Sequence, residues 1–126
     1  MKTVIQKLWM FIVILCTSTS ASAYDFEVDG VYYDIISVSD LTCEVVNGNH
    51  DGVITIPAIV QYKGKELSVI SISQSAFANS SISEVILSDG LQTIQSYAFS
   101  NCDKLTKINI PSTVNRIEDY AFYHCI

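Results

Sequence analysis

The sequence predicts a β-rich solenoid of about two and a half stacked rungs, closed at its start by an N-terminal β cap. Three observations lead there. The dipeptide Ala-Phe recurs at 76–77, 98–99 and 121–122, spaced by 22 and then 23 residues. Between recurrences, segments such as Val85-Ile86-Leu87 and Ile108-Asn109-Ile110 run into the turn formers Ser88-Asp89-Gly90 and Pro111-Ser112-Thr113; this is strand-then-turn patterning. Upstream, Asp29-Gly30 and Lys63-Gly64-Lys65 each separate two apolar runs, as hairpin turns do.

The first element is a leader. Residues 1–23 carry Lys2 and Lys7, then the apolar run Leu8–Cys16, then small polar residues ending in Ala21-Ser22-Ala23. That is the layout of a cleavable secretory signal, with cleavage expected after Ala23. The run is too short to span a bilayer, because a nine-residue helix covers only about 14 Å of a hydrocarbon core of roughly 30 Å. A lipoprotein signal is the alternative at Cys16, but Leu15 stands where a small residue is needed. Cleavage removes two lysines and no carboxylate, so the exported chain is more acidic than the formal −6 of all 126 residues.

Residues 24–68 follow as the cap and an irregular first rung. Phe26-Glu27-Val28 and Val31-Tyr32-Tyr33 flank Asp29-Gly30 as one hairpin, and Leu41–Val46 is a further strand. Asn47–Gly52 reads as a loop, and Val60-Gln61-Tyr62 with Glu66–Val69 forms a second hairpin. An end rung left bare would show its apolar face to water, which is why a stacked array needs such a cap.

Residues 69–126 are the repeats. Ile82/Leu105, Val85/Ile108, Leu87/Ile110, Leu91/Val114 and Ile94/Ile117 coincide at an offset of 23. Phe77, Phe99 and Phe122 are expected to stack as a buried ladder, with Ala76, Ala98 and Ala121 small where the backbone crowds the core. Written out, Leu105 to Cys125 reads Leu-x-x-Ile-x-Ile-Pro-x-x-Val-x-x-Ile-x-x-x-Ala-Phe-x-x-Cys. This resembles the BspA-type (Treponema-type) leucine-rich repeat, closely from Ile72 onward and more weakly through Ile54-Thr55-Ile56-Pro57. The resemblance implies a right-handed leucine-rich-repeat solenoid in a secreted or surface protein. It also implies an interaction role, with adhesins as the familiar example, and no reaction. The chain reaches Ile126 shortly after the third Ala-Phe, so a truncated product, or self-association through an uncapped last rung at Val114, Ile117 and Phe122, is expected.

Composition narrows the function further. Charged residues are only 16% of the chain, against about 25% in ordinary domains. The acidic balance opposes nucleic acid and anionic membrane surfaces, which need a basic footprint. His50 and His124 are the only histidines, and no nucleophile elbow, zinc helix or phosphate loop occurs. Glu118-Asp119 is a carboxylate pair of the kind that ordinarily stays solvated. Neither catalysis, a cofactor nor a metal is expected. Three cysteines remain after cleavage, Cys43, Cys102 and Cys125; an odd number cannot close a disulfide framework. Cys102 and Cys125 share a column with Ser80, and buried thiols explain them better than a metal pair or a bridge between rungs.

Two surfaces are candidates for binding. The columns Val53/Glu84/Lys107 and Thr55/Ile86/Asn109 should point outward from one sheet, with Glu84 and Lys107 as stacked opposite charges. Thr55, Glu84, Ile86, Lys107 and Asn109 therefore form the candidate face for a host or cell-surface protein partner. Tyr97, Tyr120 and Tyr123 form a second surface, suited to a protein interface or to glycan stacking. The rival to both is a structural N-terminal fragment of a longer surface protein.

Overall fold

The computed structural model describes residues 24–125 as ten strands, with no helix among them. The strands are β1 (Phe26–Val28), β2 (Val31–Ser37), β3 (Thr42–Asn47), β4 (Asp51–Ile56) and β5 (Ile59–Tyr62). They continue as β6 (Lys65–Ile72), β7 (Ser81–Leu87), β8 (Thr93–Ile94), β9 (Lys107–Ile108) and β10 (Arg116–Ile117). The leader, its cleavage site and Cys16 lie outside the described residues.

Both hairpins form where the sequence places them. β1 pairs antiparallel with β2, and β5 with β6. Their two-residue turns put Asp29 (φ 52°) with Gly30 (φ 81°), and Lys63 (φ 51°) with Gly64 (φ 76°), in the left-handed region. That geometry matches the twist of the flanking strands, and glycine adopts it without a Cβ penalty. The Glu27 carboxylate accepts the Gly30 N–H at 2.7 Å. Phe26 stacks on Tyr33 and on Tyr62, at 5.2 and 4.3 Å between centroids, and so ties the two hairpins together.

The repeats supply parallel ladders. β4, β7 and β9 form a three-stranded sheet, while β3, β6, β8 and β10 lie side by side in the larger sheet begun by β1 and β2. β6 serves three partners along its length: its first half runs antiparallel to β5, and its second half runs parallel to β3 on one side and, at Ser71 and Ile72, to β8 on the other. Two expectations need correction. β4 begins at Asp51, inside the stretch read as a loop, because Asp51 and Gly52 pair with Ser81 and Ile82. The third repeat yields only the two-residue strand β9 where Ile108-Asn109-Ile110 was expected, and Ile110 is 42% exposed.

Each Ala-Phe pair sits in a tight turn flanked by left-handed residues: Ser75 and Asn79, Tyr97 and Asn101, Tyr120 and His124. Successive turns are sewn together through the backbone. Phe77 N–H donates to Ala98 O and Phe99 N–H to Ala121 O, each at 2.8 Å. The rings stack as the repeat predicts, Phe77–Phe99 at 5.5 Å and Phe99–Phe122 at 5.4 Å, tilted by 10° and 6°. Phe77, Phe99 and the three alanines are buried and Phe122 is half-buried. Ile54, Ile56, Val85 and Leu87 from one sheet meet Val45, Val69, Ile72 and Ile94 from the other in the same core.

Candidate functional site

The parallel register brings the first candidate face together. Val53 lies opposite Glu84 and Glu84 opposite Lys107, while Thr55 lies opposite Ile86. Lys107 Nζ reaches Glu84 Oε2 at 3.4 Å, so the stacked charges form an ion pair. Lys107 is far more exposed than Glu84, and an exposed pair of this kind contributes at most about 1 kcal/mol. Val53 and Ile86 add exposed apolar surface at 58% and 39%. Asn109 plays a different part: its Oδ1 accepts the Leu87 N–H and its Nδ2 donates to Leu87 O, both at 2.9 Å. Its amide thus replaces the backbone ladder just where β9 stops.

The tyrosine column is also assembled. Tyr97 and Tyr120 stack at 5.2 Å and 13°, and Tyr120 meets Tyr123 nearly perpendicularly at 5.5 Å. His124 lies against Tyr123 at 4.3 Å. Face-to-face stacking uses one ring face each of Tyr97 and Tyr120, and all three tyrosines remain exposed. Both residues are left-handed, at φ 61° and 63°, a conformation that costs an L-residue roughly 1–2 kcal/mol.

A third surface escaped the sequence reading. Asp34, Glu44, Ser71, Thr93 and Arg116 stand in one register across β2, β3, β6, β8 and β10. They line an open groove with Gln95 and Glu118. Gln95 Nε2 donates to Glu44 Oε1 and to Ser71 Oγ, at 2.9 Å each. Glu118 bonds Arg116 Nε at 3.2 Å and accepts the Ser96 N–H at 3.2 Å. Burial raises the Glu44 pKa above the ordinary carboxylate value; the Gln95 hydrogen bond opposes this and the Asp34 charge adds to it. The available signal was the residue before the buried Ile72 and Ile94, and before Ile117 of the same column (48% exposed in the last repeat), which must point to the opposite side of its strand.

The cysteines are built into the packing as free thiols. Cys102 Sγ donates to Phe77 O at 3.1 Å and lies 3.2 Å from Ser80 Oγ. Cys125 Sγ donates to Phe99 O at 2.9 Å, so the column repeats one bond to the preceding phenylalanine carbonyl. Burial and the Glu44 charge push the Cys43 thiol up to about 12, and burial raises Cys125. Reactive cysteines are shifted the other way. Among the described residues no cluster of three or more His, Cys, Asp and Glu side chains is arranged to hold a metal. His50 is engaged locally, its Nε2 2.6 Å from Asn47 Oδ1. Among the described residues no helix is long and apolar enough to cross a membrane.

Comparison with known proteins agrees with this architecture. The family model described as "BspA type Leucine rich repeat region (6 copies)" matches residues 64–126. A leucine-rich repeat protein from Bacteroides ovatus ATCC 8483 is similar at 33% identity and a TM-score of 0.75, over 81% of this chain and 27% of its own. A leucine rich cell surface protein from Faecalibacterium prausnitzii A2-165 is similar at 26% identity and a TM-score of 0.72, over 85% of this chain and 30% of its own. A leucine-rich repeat protein from Bacteroides capillosus ATCC 29799, at 23% identity, shares the fold over 76% of this chain and 72% of its own, with a TM-score of 0.71. The chain therefore spans under a third of the length of the first two. No curated protein matches the sequence significantly.

Proposed function

The chain belongs to the BspA-type leucine-rich repeat family, and from that premise we propose that it is an exported, non-enzymatic protein-interaction module, adhesin-like, secreted or held at the cell surface. Its organisation in this reading is a signal peptide over 1–23, a β cap with an irregular first rung over 24–68, and solenoid repeats over 69–126. The partner is a host or cell-surface protein. The observation that carries the reading is the outer face of the β4–β7–β9 sheet. There Val53, Thr55 and Ile86 lie beside the Glu84–Lys107 pair on a stacked, hydrogen-bonded platform. Exposed apolar side chains rimmed by charge suit a protein contact. The F. prausnitzii relative is described as a cell surface protein, which supports the same location here.

Glycan recognition through the exposed Tyr97, Tyr120 and Tyr123 is the second reading, because aromatic rings with polar tips also suit sugar stacking. The test is to screen the purified protein on arrays of extracellular-matrix and cell-surface proteins beside a glycan array. Retention on a protein, reduced at least tenfold by Ile86→Glu, is the expected result. Retention only on glycans, lost with Tyr97→Ser and Tyr120→Ser, overturns the reading.

A further inference from the structure

β4 is the edge strand of its sheet: among the described residues only β7 pairs with it. The direction of its backbone groups follows from β7. Ser83 O accepts the Thr106 N–H, and both backbone groups of Leu87 are taken by Asn109, so residues 83 and 87 serve the β9 side. Glu84 and Ile86 therefore turn toward β4, where a parallel pair bonds each to the residues flanking its partner. Their partners Val53 and Thr55 consequently aim N–H and C=O away from β7, toward the open edge. Pro57, which has no N–H, follows the strand and ends this edge beyond Thr55.

The open edge faces a cleft of about 310 Å³ between β4 and the β1–β2 turn, at the lower end of ligand-pocket sizes. Its apolar lining comes from Val31, Tyr33 and Ile54, and Asp29 and Asn49 add polar wall. Charge decides what fits. Residues 24–62 hold seven carboxylates and no lysine or arginine. None of the seven is in an ion pair among the described residues. Exposed Asp29 lines the cleft and exposed Asp51 opens β4. A second copy docked edge to edge would set these carboxylates against their equals, whereas a basic strand would neutralise them.

We propose that this cleft accepts an extended, basic segment of a partner protein, added to β4 as a further strand through the backbone of Val53 and Thr55. Backbone bonds supply the register, and alternate basic side chains of the segment reach Asp29 and Asp51. The inference rests on the protein-binding reading but uses the strand edge and not the sheet face.

The test titrates the purified protein with the capped peptide Lys-Val-Lys-Val-Lys-Val, the same peptide N-methylated at alternate residues, and its Glu-Val counterpart. Binding of the basic peptide alone is expected, weakened at least tenfold by N-methylation and severalfold by Asp29→Asn with Asp51→Asn. Hydrogen exchange at the Val53 and Thr55 amides should slow on binding, while Ile54 is unchanged. Ile86→Glu should leave peptide binding intact, which separates failure of this inference from failure of the sheet-face reading. Equal binding of the N-methylated peptide, protection elsewhere, or concentration-dependent protection of the two amides without peptide (a dimer through β4) would each overturn it.

Discussion

Gly48 gives the sharpest quantitative test of the packing. Its φ is not in the left-handed region, so replacing it with alanine should, on backbone grounds alone, stabilise the protein by about 0.4–1 kcal/mol. Space argues the opposite. A Cβ at Gly48 falls 2.8 Å from Phe77 Cε1 and 3.3 Å from Cζ, against a carbon–carbon optimum of about 3.5–4.0 Å. The ring cannot step aside freely. Phe77 is fully buried, stacks on Phe99 at 5.5 Å and has His50 at 6.1 Å on another side. Overpacking of this kind costs about 1–3 kcal/mol, so Gly48→Ala should destabilise by up to about 2.6 kcal/mol after the backbone gain. Urea unfolding measures it directly. Phe77→Leu removes both clashing atoms, so alanine at 48 should cost under about 0.5 kcal/mol in that background, a coupling of about 1–2 kcal/mol. If Gly48→Ala is neutral or stabilising, or equally costly with and without the Phe77 ring, the reasoning fails.

Glu44 should make stability depend on pH. Its folded pKa is raised above the ordinary 4.5, so the protonated form favours the folded state. That contribution is present below the unfolded value and lost as pH rises through the folded one. Glu44→Gln keeps an acceptor for Gln95, and should match the wild type below pH 4 and exceed it in urea resistance at pH 7. A wild type that gains on the variant as pH rises would contradict this. In the cysteine column, Cys102→Ser should fold well because Ser80 already occupies that column one repeat earlier. Cys102→Ala, which loses the bond to Phe77 O, should cost about 1 kcal/mol. Denaturation midpoints in the reverse order would show that the thiol's size, not its bond, matters.

Much of this was readable because it rests on local chemistry or on a fixed offset. Asp29-Gly30 and Lys63-Gly64 specify turns by themselves, and the Ala-Phe spacing puts Phe77, Phe99 and Phe122 in one column whatever lies between. The Glu84–Lys107 contact followed from that same offset. What could not be read depends on partners far away in the chain. Nothing local distinguishes Asp51-Gly52 from a loop until Ser81-Ile82 offers a strand to pair with. Asn109 looks like a surface residue until Leu87 needs both backbone groups satisfied. The polar row from Asp34 to Arg116 required knowing that β3 lies beside β6, a parallel pairing that no hairpin signal announces.

The left-handed residues beside each Ala-Phe pair bear on how this sequence can change. At the later position the chain already uses Asn79 and Asn101, which tolerate the conformation, and departs from that only at His124. At the earlier position it uses Ser75, Tyr97 and Tyr120, where glycine or asparagine would relieve strain of roughly 1–2 kcal/mol at each site. Drift toward asparagine there is the easy stabilising route, and a consensus redesign of the repeats would take it first. Such a redesign would erase the stacked tyrosines, so the column marks where gains in foldability and the character of the surface pull against each other.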